Sequence, residues 1–104
     1  MTADLMMLSL IRIMEEKIEK LKGFIETAQD EMMYLLFASV ISSDNINSIE
    51  DCNKALDFYK VLRVAIKHAN IDEGRRLSYL GYIEQGIGII NGDIEHFTNQ
   101  KPQE

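Results

Sequence analysis

Two side chains have types and a spacing suited to metal chemistry. Asp93 and His96 lie three residues apart, which is one turn of a helix. A carboxylate and an imidazole so placed can share a cation. A transition-metal site needs more ligands than these, and a di-iron site needs matching Glu-x-x-His motifs, which the chain lacks. The other histidine, His68, falls near the C-terminus of an expected helix, where a protonated ring gains from the helix dipole. Cys52 is the only cysteine, so an intrachain disulfide and a cysteine zinc cluster are both excluded. No P-loop, nucleophile elbow or paired histidine motif occurs. We therefore expect no metal, no cofactor and no enzymatic role.

The stretch GIGIING at residues 86–92 invites a different chemistry. It nearly matches the dinucleotide fingerprint, but that motif follows a strand, opens a helix and has an acidic residue about 20 positions on. Here the upstream chain reads as helix. Asn91-Gly92 would suit a two-residue hairpin turn, yet the flanking isoleucines do not alternate as strands would. The preferred reading is a helix with a smooth face. Gly74, Ser78, Gly81, Gln85, Gly88 and Gly92 recur in steps of four and three. Such a face lets another helix backbone come close, inside the chain or across a dimer. Gly74, Gly81, Gly88 and Gly92 are the expected close-packing positions.

The elements that carry these residues read as helices almost throughout. The only proline is Pro102, so nothing before it forbids a helix on that ground. From Ala3 to Ser42, a seam of Met7, Ile11, Met14, Ile18, Leu21, Ile25, Ala28, Met32 and Leu35 alternates in steps of four and three. An unbroken seam predicts one long first helix. The alternative is a break at Gly23, with a capping box at Thr27–Asp30 opening a fourth helix. Residues 32–41 are apolar on all sides and read as a helix buried all round.

A polar loop follows at 42–48. Ser48 with Asp51 caps a helix over about 49–69, whose seam is Cys52, Ala55, Tyr59, Leu62, Ile66 and Ala69. Phe58, Val61 and Ala65 give this helix a second apolar side, so it should lie between two neighbours. Asp72 is the expected cap of a last helix over about 73–98, with a seam of Leu80, Ile83, Ile87, Ile90, Ile94 and Phe97. The fold class is thus all-α: an antiparallel bundle of three helices, four if the first breaks at Gly23, completed by dimerisation. Residues 1–98 form a single helical domain and 99–104 a polar tail.

Composition narrows the partners. The formal net charge is −6, which disfavours a phosphate backbone. Lys60, Arg63, Lys67, Arg75 and Arg76 gather near the second connection, so the alternative function is a nucleic-acid-associated transcriptional regulator using that basic patch. No apolar run is long enough to span a bilayer, and no basic leader precedes the N-terminal run, so we expect a cytoplasmic protein without a membrane. The strongest hint is excess apolar surface on the first helix, where five of the six methionines fall. Methionine adapts to variable contacts. The expected function is a small acidic protein-interaction module, a regulator, adaptor or chaperone, acting as a homodimer. Its contacts would run through Met7, Ile11, Met14, Ile18, Leu21, Ile25, Met32 and Leu35, towards a protein partner the sequence does not identify.

Overall fold

The structure is a computed structural model and describes residues 3–99. Its elements are four helices: α1 (Ala3–Thr27), α2 (Asp30–Val40), α3 (Ile49–His68) and α4 (Glu73–Asn99). The described residues form an all-helical protein, as the apolar spacing and the lack of internal proline imply.

The first apolar seam does not run through one helix. The chain passes through Gly23 without interruption and bends five residues later, at Ala28 and Gln29. Gln29 is extended (φ −72°, ψ 155°) and its carbonyl starts α2 by accepting from Met32 and Met33. Thr27 is no cap. Its hydroxyl donates back to the Gly23 carbonyl at 2.8 Å, inside α1. Neither a glycine nor a proline marks the break, and long-range contacts are made beside it. Asp30, at the start of α2, accepts from the Tyr79 hydroxyl at 2.5 Å and forms an ion pair with Arg75, whose Nε lies 3.1 Å away; both partners are on α4. These bonds hold α2 on α4 while α1 runs along α3. Asp30 and Glu31 also favour the positive end of the α2 dipole.

The caps of α3 and α4 follow the sequence. The Ser48 hydroxyl accepts from the Asp51 amide at 3.1 Å, and the Asp51 carboxylate accepts from the Asn47 amide at 3.0 Å. That is a reciprocal cap, which satisfies two donors at once. Asp72 accepts from the Arg75 amide at 2.8 Å and opens α4.

The core is built around α3. All six members of its seam, Cys52, Ala55, Tyr59, Leu62, Ile66 and Ala69, are buried. Its second apolar side also finds cover, because α3 packs against both α1 and α4. From α4 come Tyr79, Ile83, Gly86 and Ile90, a row in steps of four, three and four. From α2 come Met33 and Phe37, and from α1 only Ile25 is fully enclosed. The apolar segment at 32–41 is therefore a helix but not one buried all round: Met32 and Leu35 lie on its open side. The result is flat, with principal extents of 52 × 45 × 18 Å. A thin slab leaves many side chains near a surface, and α1 shows this most.

Candidate functional site

The N-terminal half of α1 stands apart from the rest. Leu5, Met6, Met7, Leu8, Leu10, Ile11, Ile13 and Met14 each keep between 48 % and 60 % of their surface exposed. On a helix, the turns above and below shade each side chain in part. Exposure at this level, on every side, belongs to a helix with nothing against it. At 100° per residue, Met7, Ile11 and Met14 continue the seam, while Leu5 and Leu8 lie on a second side of the helix. Met6 and Ile13 lie on a third side. Contiguous apolar surface of more than a few hundred Å² is rare on a soluble monomer and marks an interaction surface.

The seam changes character along its length. Met7, Ile11 and Met14 are free, Ile18 and Leu21 are half-buried against the core, and Ile25 is enclosed. Ile25 is thus a core residue, not an interface residue. Met32 and Leu35 are exposed but sit on α2, beyond the bend, so they do not extend the α1 surface in line. Of the side chains expected at an interface, Met7, Ile11 and Met14 are the ones on α1 that are exposed. The side chains that expectation omitted, Leu5, Met6, Leu8, Leu10 and Ile13, are free beside them.

The glycine stripe lies elsewhere than expected. α4 is helical through residues 86–92, so neither a hairpin nor a phosphate loop forms there. Gly81, Gly88 and Gly92 are exposed, and a Cβ at any of them would meet nothing within 4 Å. At Gly74 a Cβ would meet only Asp72 Oδ1 at 3.4 Å, an ordinary contact. Among the described residues no helix packs on these four glycines. The close approach is at Gly86, which the stripe leaves out. A Cβ on Gly86 would lie 2.6 Å from Tyr59 Cζ and closer still to the Tyr59 hydroxyl. Gly86 therefore makes room for the Tyr59 ring, and the reason is the absence of a side chain, not backbone freedom.

Of the five basic residues near the second connection, three are occupied. Arg76 donates to the Ile66, Lys67 and Ile71 carbonyls at 2.6, 3.0 and 3.1 Å, closing the C-terminus of α3. Arg63 pairs with Glu84 across α3 and α4. Arg75 holds Asp30, with Asp72 at 4.0 Å. Lys60 and Lys67 point to solvent. The arginines act as ties between helices, a role that needs the fork of donors a guanidinium supplies.

His96 is exposed and its ring lies 5.9 Å from that of Phe97; Asp93 is half-buried one turn away. Among the described residues no three His, Cys, Asp or Glu side chains converge as a metal-binding group. Cys52 is free and fully enclosed. Burial pushes its thiol pKa up, and the charges of Asp93 and Asp51 add to the effect. A thiol held protonated is a poor nucleophile. Among the described residues no helix is long and apolar enough to cross a membrane.

The fold and these surfaces define a class: a small helical protein whose first helix carries an uncovered apolar arm. Beyond that class the comparisons are silent, since no family model matches the chain and no significant match arises among curated proteins or solved structures.

Proposed function

We propose that this protein is an interaction module, a regulator, adaptor or chaperone, that works as a homodimer through the arm of α1. The observation that carries this reading is the exposure of eight large apolar side chains at Leu5–Met14. Burying one such side chain stabilises by about 1.5–3 kcal/mol, which at about 25 cal/mol per Å² corresponds to roughly 100 Å² each. Eight of them amount to roughly 800 Å² per copy, spread over all sides of the arm, of which the three on the seam account for roughly 300 Å².

A second copy fits the seam. Two arms crossing antiparallel would place Met7, Ile11 and Met14 of each against the other, an isologous contact that closes on itself. That contact covers one stripe of each arm. Leu5, Leu8 and Ile13 lie off that stripe and remain for another protein, which is how a dimer of this kind acts as an adaptor. The methionines suit a contact that adapts to its target.

The nucleic-acid alternative finds less support. Arg63, Arg75 and Arg76 are spent within the chain, which leaves Lys60 and Lys67 for a phosphate backbone.

Light scattering on the eluting chromatographic peak tests the reading. The wild type should run at twice its chain mass at tens of micromolar. Ile11→Glu should run as a helical monomer. A folded wild-type monomer at that concentration sinks the homodimer.

A further inference from the structure

A second surface, away from the α1 arm, carries its own inference. Between α2 and α4, with α3 as the floor, lies a cleft of about 270 Å³. Its walls are aromatic. Tyr34 and Tyr82 meet edge to face with ring centres 5.1 Å apart, and Phe37 stacks on Tyr82 at 5.6 Å. Tyr34 and Tyr82 keep part of their rings exposed at the mouth. No charged side chain lines the cleft; Gln85 is its one amide.

At the floor sits Tyr59, 1 % exposed, over Gly86. Its hydroxyl is the one buried side-chain polar atom among the described residues with no hydrogen-bond partner. A buried hydroxyl without a partner is destabilising, and nearly all buried polar groups in folded proteins have one. A phenylalanine would fill the same space without that cost. Burial raises the pKa of Tyr59, so the hydroxyl stays protonated and available as a donor.

We propose that this cleft binds a small, neutral, flat aromatic molecule carrying one oxygen, which pairs with the Tyr59 hydroxyl at the floor. A cavity of about 150 Å³ holds benzene, so this one admits a fused two-ring system. Aromatic walls favour stacking and edge contacts with a flat ligand. The uncharged lining selects against ions, since a charge there would lose its water without a counter-charge. The Tyr59 hydroxyl is closed off in the free protein, so pairing with it requires a wall side chain to swing aside, and Tyr82 and Ile89, partly exposed on α4, are the ones free to do so. The site draws on α2, α3 and α4 alone, so it stands or falls separately from the dimer.

The probe is 2-naphthol, with naphthalene as the control that lacks the oxygen, each titrated into labelled full-length protein and followed by amide chemical shifts. The wild type should bind 2-naphthol with shifts on α2 and α4, and about fivefold to tenfold more tightly than naphthalene, the worth of one hydrogen bond. Tyr59→Phe should abolish that preference while leaving the thermal midpoint of the free protein unchanged or higher. Ala38→Phe, at an exposed position on the cleft wall, should block both probes with the helical spectrum intact. No binding by the wild type at millimolar probe overturns the proposal. So does binding that survives Ala38→Phe, which would place the probe on the α1 arm. A Tyr59→Phe variant that loses stability, or keeps the preference for 2-naphthol, shows the hydroxyl to be paired otherwise and overturns it as well.

Discussion

The two halves of α1 share one apolar seam and meet opposite fates. From Ile18 to Ala28 the seam packs on the core, with Ile25 fully enclosed. From Met7 to Met14 the same seam lies in the open. The polar contacts divide in the same way. The inner half is tied down by Glu26, which accepts from the Asn70 amide at 2.5 Å, 44 residues along the chain. The outer half has no such tie among the described residues. A helix of 25 residues is about 37 Å long. Here only its second half has a body of protein to lie against. The difference teaches that seam periodicity specifies a face but not what covers it.

A pair of matched substitutions breaks the comparison most sharply. Ile25→Asp puts an unpaired carboxylate into the core, at a cost of several kcal/mol against a total stability of about 5–15 kcal/mol for such a domain. It should abolish the cooperative thermal transition. Met14→Asp, on the same seam and the same helix, should leave the isolated chain folded. If both unfold the chain equally, the outer half is not free, and its cover comes from contacts within one copy.

Assembly offers the next test. Met7→Glu combined with Ile11→Glu should weaken self-association by about 100-fold or more, since two apolar anchors of about 1.5–3 kcal/mol each are lost from both copies. The readout is sedimentation velocity over a concentration series. Ile18→Asp and Leu21→Asp are poorer probes, because both residues also pack on the core and would confound folding with assembly. An unchanged association constant in the double variant would falsify the arm as the dimer contact.

Most of the helical frame was legible in the sequence, because it is local. Ser48 and Asp72 announce their helices, and the α3 seam is buried residue for residue. A break in the first seam was legible as the alternative that opens a helix at Thr27–Asp30, but its place at Ala28 was not; Asp30, where α2 begins, is bonded to Tyr79, 49 residues away. The uncovered arm was half legible: its apolar excess showed, its exact extent did not. Gly86 is the instructive miss. The row Tyr79, Ile83, Gly86, Ile90 has core spacing, but a glycine within a glycine-rich run does not read as a core position. Only the ring of Tyr59 above it gives it that meaning.

The same contrast of covered and open recurs on α4 at a smaller scale. Gly86→Ala brings a methyl against Tyr59, and overpacking of this kind costs about 1–3 kcal/mol. Gly88→Ala meets nothing and should stabilise the helix by about 0.5–1 kcal/mol, the cost of a helical glycine. The two should move the thermal midpoint in opposite directions. Should Gly88→Ala lower the midpoint at high protein concentration but raise it at low, the stripe of Gly74, Gly81, Gly88 and Gly92 would prove to be a contact between copies.

The last test concerns the tie at the start of α2. Tyr79 is buried and donates to Asp30. Burial first, and that hydrogen bond second, raise its pKa above the ordinary 10.0. A raised pKa means that the folded state holds the proton more tightly than the unfolded state does. Its contribution is therefore complete below about pH 10 and is lost as pH rises beyond it. Tyr79→Phe should remove about 1.5–3 kcal/mol at neutral pH, the range for a hydrogen bond to a charged group. It should also flatten the fall in urea midpoint between about pH 9 and pH 11. Tyr59 and Cys52, whose pKa values are also raised, keep the remaining slope from vanishing. If the variant loses stability but keeps the wild-type alkaline slope, the bond to Asp30 anchors α2 without governing its response to pH. A variant as stable as the wild type would mean that apolar packing of Met33 and Phe37 alone holds α2 on α4, and the bend would then need no polar anchor.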